Sequence, residues 1–189
     1  MAKVTLEDQL KGLAECGIKL REGLTIQHLL SLFDRAELEA EPYILLLTVL
    51  GGELDEKPTG YASNNIWHFD TECIEDRGDY ARIARRMSEL AGGGLPLQKI
   101  KDFVDIDDEK AWLSFELDGK PYKWNAQVED DWVDEKIISE LAKLLAGRNT
   151  GHKFTYLDLG GQDCLIGCAT PDELKKLKKL TGLAFEWLK

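Results

Sequence analysis

The stretch AWLSFELDGKPYKWNAQV, residues 111–128, gives the clearest indication of the fold class. At its centre, Asp118-Gly119 is a strong signal for a two-residue turn between antiparallel strands. From Tyr122 onward, apolar and polar residues alternate, which is the period of a strand that buries one face. This segment therefore predicts a β-hairpin.

Other strands are expected on either side of this hairpin. A second hairpin is predicted over residues 154–168, and a last strand over 183–188. Residues 66–74 alternate in the same way. The run YILLLTVL, residues 43–50, is apolar at seven of eight positions without any period, and is interpreted as a strand buried on both faces.

Helical patterns separate these strands. Apolar residues recur at helical spacing over residues 5–16, 25–38, 77–91, 133–147 and 170–181. Because hairpins dominate, the sequence predicts a single α+β domain over residues 1–189, with a mainly antiparallel sheet of about seven strands and about five helices. Within it, an N-terminal helical pair at 1–40 is expected to pack on the core at 41–189.

The net charge of −11 and the pI near 4.8 exclude the partners that need a basic surface. Nucleic acid and anionic membranes are polyanions, so neither is an expected partner. A basic protein partner is compatible with this charge. The N-terminus lacks the apolar run of a signal peptide and no stretch is long enough to span a membrane, so a cytoplasmic protein with reduced cysteines is expected.

The negative charge is concentrated in one part of the chain. Residues 101–136 contain 12 acidic residues against five lysines, a balance of −7. Aromatic residues at 112, 122, 124 and 132 accompany them, as in protein-binding hot spots. The predicted contact residues for a basic partner are Asp105, Asp107, Asp108, Glu129, Asp130, Asp131 and Trp132. The alternative is a solvated acidic face over a core that needs those aromatics.

The stretch EDDWVDE, residues 129–135, also has a structural interpretation. Asp131 is predicted to cap the helix at 133–147, with Asp134 and Glu135 in its first turn, where the helix dipole favours negative charge. Trp132 is then expected to anchor this start on the core. These assignments leave Glu129 and Asp130 without a structural role.

An enzyme is the alternative to a binding module. His68, Asp70 and Glu72 would share one face of a strand, where they could hold a metal or act as an acid–base set. The simpler interpretation is the polar face of a half-exposed strand. No motif for a nucleophile, a phosphate or a dinucleotide is present, so no cofactor is predicted.

Two metal patterns are incomplete. Cys164 and Cys168 are four residues apart, but zinc needs four ligands and no second pair follows. The acidic run from Asp105 has the spacing of a calcium loop, but Lys110 stands where such a loop requires glycine. Neither pattern predicts a bound metal.

Residues 111–189, with tryptophan-rich hairpins, DDWVDEK, YLDLGGQDCLIG and the closing LTGLAFEWL, resemble the immunity proteins of bacterial toxin–immunity systems in composition and layout. The resemblance implies a small acidic cytosolic protein that neutralises a toxin by occluding its active site or an essential surface. It transfers no functional residue.

Overall fold

The computed structural model describes residues 4–54 and 59–189. The described residues form seven helices and nine strands. The helices are α1 (Leu6–Glu15), α2 (Ile26–Leu30), α3 (Arg35–Ala40), α4 (Ile44–Gly51), α5 (Asp79–Leu90), α6 (Glu135–Ala146) and α7 (Pro171–Thr181). The strands are β1 (Glu53–Leu54), β2 (Gly60–Tyr61), β3 (Ile66–Asp70), β4 (Leu97–Asp105), β5 (Lys110–Leu117), β6 (Lys120–Ala126), β7 (Lys153–Gly160), β8 (Asp163–Ala169) and β9 (Glu186–Trp187).

The α+β class is confirmed, although more helices and strands form than the sequence predicted. The Cα positions divide the chain into two compact units. Unit 1 contains Met1–Phe69 and Thr155–Trp187, and unit 2 contains Asp70–Phe154 and Leu188–Lys189. Residues 4–40 lie in unit 1. No helix among the described residues is long and apolar enough to cross a membrane.

Unit 1 contains the main error of the sequence-based assignment. Residues 44–51 form helix α4, not a strand. The helix is apolar nearly all round and buries Leu46, Leu47 and Leu50 completely. A helix buried on most sides and a strand buried on both faces give the same unbroken apolar run, so periodicity could not separate them.

The N-terminal helical pair forms in altered shape. Thr5 caps α1, with its hydroxyl accepting the N–H of Asp8. The second predicted helix is broken into α2 and α3, because Asp34 makes a new capping box with Glu37.

Strands β3, β8, β7 and β9 form one sheet in that order, and the predicted hairpin at 154–168 supplies its central pair.

Unit 2 is built on a three-stranded antiparallel sheet in the order β4-β5-β6. The predicted hairpin supplies β5 and β6, with both Asp118 and Gly119 in the left-handed region at its turn. Strand β4 is an addition, since no strand was predicted over residues 97–105. The inner face of the sheet buries Leu113, Phe115 and Leu117.

Helix α5 packs on β4 and β5, and α6 packs on β6. The amphipathic pattern of α5 is confirmed with one exception, because the charged residue Arg86 is only 2% exposed. Its guanidinium lies 3.4 Å from the carboxylate of Glu89. A long aliphatic stem allows an arginine to occupy an otherwise apolar face when its head finds polar partners.

Candidate functional site

Both predicted acidic segments leave the three-stranded sheet at the same end. Val104, Ala111 and Ala126 stand opposite one another on the three strands. The turn 106–109 joins β4 to β5 beyond this row, and the chain after Ala126 leads to 129–135. Since β4 and β6 are about 10 Å apart, the segments start within reach of a single partner surface. We call residues 105–109 and 129–135 together the acidic end.

The first segment of the acidic end is a tight turn. Asp105 accepts the backbone N–H of Asp108 at 3.0 Å, which gives this carboxylate a structural role. The Asp108 carboxylate pairs with the ammonium of Lys110 at 2.9 Å. Asp107 and Glu109 are exposed, and their carboxylates bond to nothing among the described residues. The turn therefore presents two unneutralised charges beside one exposed ion pair.

The second segment is fixed by backbone hydrogen bonds. The N–H of Trp132 donates to the carbonyl of Glu129 at 3.1 Å, which closes a turn with Asp130 at φ +54°. The carbonyl of Asp131 accepts the N–H groups of Cys73 and Ile74, both at 2.9 Å. These contacts tie the segment to the chain that follows β3, so its carboxylates are held by ordered backbone.

The predicted helix cap at Asp131 is wrong. Helix α6 begins at Glu135, and its cap is Asp134, whose carboxylate accepts the N–H of Lys136 at 2.9 Å. The other oxygen of Asp134 accepts the N–H of Gln127 at 2.8 Å. The N–H of Asp134 donates to the hydroxyl of Tyr80 at 3.0 Å. These two contacts favour Asp134 as the cap of α6. Neither could be predicted from the residues next to Asp134 in the sequence.

Trp132 was expected to anchor the segment on the core, but it does not. It is 40% exposed and lines an open groove of about 350 Å³, whose lining residues are Gln127, Glu129, Trp132, Val133, Asp134 and Glu135. Asp134 is used by the helix cap. The carboxylates of Glu129 and Glu135 bond to nothing in the part of the chain that the structure describes. An indole face beside two such carboxylates is suited to an ammonium or guanidinium group.

The other aromatics expected at this surface lie elsewhere in unit 2. Tyr122 and Trp124 are on the inner face of the sheet, where their rings pack on Phe115 at centroid distances of 5.2 and 4.9 Å. Trp112 is half-buried on the outer face. Of the four aromatics, Trp132 alone belongs to the acidic end.

The residues of the enzymatic alternative have identifiable partners. In β3, His68 Nε2 lies 3.1 Å from the carboxylate of Asp163 in β8, a partner that sequence reasoning missed. Asp70 accepts the backbone N–H of Glu72 at 2.9 Å. Strand β3 ends at Asp70, so the shared strand face assumed for Glu72 is wrong. Asp163 could have been found only from the register of two strands distant in sequence.

No metal-binding cluster of three or more His, Cys, Asp or Glu side chains exists among residues 4–54 and 59–189. All four cysteines are free thiols. Burial raises the pKa of Cys73 to about 11 and that of Cys168 to about 12. Because the thiolate is the nucleophile and the metal ligand, these two side chains are poorly suited to either chemistry near neutral pH.

No protein family, no curated protein and no solved structure matches this chain.

Proposed function

We propose that the protein is a binding module of the immunity type, whose acidic end occludes a basic surface of a protein partner such as a toxin. The observation that carries the proposal is the register of the three-stranded sheet. It brings the turn 105–109 and the segment 129–135 to one end of the sheet, although they are distant in sequence.

The charges of this surface support fast association with a basic partner. Five carboxylates of this surface are exposed and have no cationic partner within residues 4–54 and 59–189, namely those of Asp107, Glu109, Glu129, Asp130 and Glu135. Concentrated charge of one sign steers a partner of opposite sign during encounter, and the effect weakens as salt screens it. The ordered backbone beneath the segment 129–135 lowers the entropy cost of complex formation.

The groove at Trp132 supplies the specific contact in this proposal. A lysine or arginine of the partner would lie over the exposed indole, with its charge between Glu129 and Glu135. Exposed cation–π contacts contribute roughly 0.5–1 kcal/mol and more when water is excluded, so this groove is the expected hot spot.

The test is the rate of association with a hexalysine peptide, a probe with the positive charge proposed for the partner surface. Reversing three exposed charges, in the variant Asp107→Lys/Glu129→Lys/Asp130→Lys, should lower the association rate at low salt by about tenfold or more. The matched control is Glu15→Lys/Glu22→Lys/Glu41→Lys, which makes the same change of charge at exposed positions of unit 1. Equal rates for the two variants would refute the role of the acidic end.

A second candidate is acid–base chemistry at His68, favoured by its contact with Asp163. A carboxylate beside an imidazole fixes the orientation of the ring, which a general base requires. Screening for hydrolysis of ester and phosphoester substrates, with metal analysis of the same preparation, tests it. Activity that disappears in both His68→Ala and Asp163→Ala would support this candidate, and its persistence in either variant would contradict it.

A further inference from the structure

We propose that the outer face of the three-stranded sheet is a second interaction surface, which takes a short acidic segment of a protein. The surface consists of Arg77, Lys101, Phe103, Trp112 and Lys123, and we call it the aromatic–cation face. It lies in unit 2, and it differs from the acidic end in both chemistry and position.

Two rings and two cations form a column across the sheet. Phe103 in β4 stacks on Trp112 in β5, with ring centroids 6.2 Å apart and planes at 12°. The Arg77 guanidinium lies 4.7 Å from the centroid of the Phe103 ring. On the other side, the Lys123 ammonium lies 4.3 Å from the centroid of the Trp112 ring. The column holds both cations in place without neutralising them.

The charge of this face is opposite to that of the chain. Lys101, Ser114 and Lys123 form one row on the three strands, so two lysines flank a hydroxyl. Among the described residues, no carboxylate lies within ion-pair distance of Arg77, Lys101 or Lys123. In a protein of net charge −11, three such cations on one sheet face are a local reversal of sign. An anionic partner therefore complements it.

The geometry favours a carboxylate-bearing peptide over a nucleic acid. Single-stranded nucleic acids are held by bases that stack on open aromatic faces. Here each ring lies against the other ring and against a cation, so less of its face is available to a base. The sheet is about 10 Å wide from β4 to β6, and the acidic end borders it, so a long polyanion would meet repulsion. A short acidic segment fits these limits.

Both edges of the sheet have features that disfavour pairing with an added strand. Strand β4 carries an irregularity between Gln98 and Lys101, with Lys99 at φ +52°. Strand β6 contains Pro121, which has no N–H for a ladder. Bulges, lysines and proline are the features that protect sheet edges from pairing. Recognition is therefore expected through side chains of the face and not through backbone pairing.

The experiment uses the full chain and a hexaglutamate peptide, followed by NMR. The largest amide shifts are expected at Lys101, Trp112 and Lys123. The variant Lys101→Glu/Lys123→Glu should weaken binding by about tenfold or more, as reversal of close charges does. The matched control is Lys175→Glu/Lys178→Glu on the exposed face of α7, which makes the same change of net charge. Its affinity for the peptide should fall by no more than about twofold, since those lysines belong to another surface.

Each other outcome overturns the proposal. Equal losses of affinity in the two variants would show that the peptide binds by nonspecific charge attraction. No detectable binding of hexaglutamate would show that the face is not an interaction surface for acidic segments. Tighter binding of hexathymidylate than of hexaglutamate would replace the peptide by a nucleic acid. Because this probe is anionic and the proposed partner of the acidic end is basic, either proposal can fail while the other stands.

Discussion

Asp102 in β4 holds the start of α5 through Gly78, whose N–H lies 2.9 Å from each oxygen of the Asp102 carboxylate. The same carboxylate accepts the N–H of Ala81 at 3.1 Å. A residue distant in sequence thus does the work of a helix cap. One of the acidic residues counted between 101 and 136 is therefore structural and not available to a partner.

Removing this remote cap should destabilise unit 2. Asp102→Ala leaves helix N–H groups without an acceptor, and the loss should be about 1–2 kcal/mol, as for capping residues in general. Asp102→Asn keeps one acceptor and should lose less. Urea unfolding measures both variants, and an Asp102→Ala protein as stable as the parent would contradict the assigned role.

The close approach of α4 to β3 makes Gly51 irreplaceable. A Cβ added there would overlap the backbone nitrogen of His68 and lie 2.8 Å from the carbonyl carbon of Trp67. Backbone cannot yield as a flexible side chain can, so Gly51→Ala should cost about 3 kcal/mol or more. Thermal unfolding measures it.

The control for this change is Gly147→Ala. Gly147 ends α6 at φ −74°, and its nearest contact to an added Cβ is an ordinary 3.4 Å. A change within about 0.5 kcal/mol is expected for such a position. Similar losses in the two variants would mean that the contact between α4 and β3 is wrong.

Alkaline pH should destabilise the fold through Tyr80. Burial raises the pKa of this phenol from 10.0 to about 12, so the folded state holds its proton where the unfolded state releases it. The stabilisation is complete below pH 10 and is lost as the pH rises towards about 12. Tyr80→Phe removes this group, although it also removes the acceptor for Asp134, so its stability should be lower but less dependent on pH.

The measurement is the free energy of unfolding in urea between pH 10 and about 12, in a background with Cys73 and Cys168 replaced by alanine. Both thiols also have raised pKa values and would add a loss of the same sign. An identical pH slope for the Tyr80→Phe protein and its parent would contradict the burial of the phenol.

Cys73 should react slowly with alkylating reagents. Its pKa of about 11, against 9.0 for an exposed thiol, lowers the thiolate fraction about a hundredfold near neutral pH. Iodoacetamide labelling followed by peptide mass spectrometry should give a rate for the folded chain at least that much below the rate in urea. Comparable rates would contradict the buried environment.

The turn at Asp130 offers a stabilising change. Its φ of +54° is unfavourable for a residue with a Cβ, although Asp tolerates it better than most. Asp130→Gly should therefore stabilise unit 2 or leave it unchanged, within about 1 kcal/mol, whereas Asp130→Ala should destabilise it. Chemical unfolding distinguishes the two, and a more stable alanine variant would contradict the turn.

The sequence predicted the fold where local signals decide structure. The turn at Asp118-Gly119 and the helix at 170–181 are both confirmed, since each depends on signals within a short stretch of sequence. The prediction failed where tertiary contacts decide the structure. The apolar run at 43–50 is compatible with a strand or a helix, and no strand was predicted at β4, where apolar and polar residues do not alternate regularly.

The candidate site was also predicted only in part from the sequence. Composition located the acidic region, but only the register of β4, β5 and β6 brings its two segments together. Composition also could not separate carboxylates with structural roles, such as Asp102 and Asp134, from those available to a partner. The contact of His68 with Asp163 required the same long-range information.

The fluorescence of Trp132 can report binding at the acidic end. Trp132 is the most exposed of the five tryptophans and lies in the groove of the acidic end. Indole emission shifts to shorter wavelength and changes intensity when water leaves the ring. Covering of the acidic end could thus be followed in unlabelled protein, with Trp132→Phe to identify the signal against the other four.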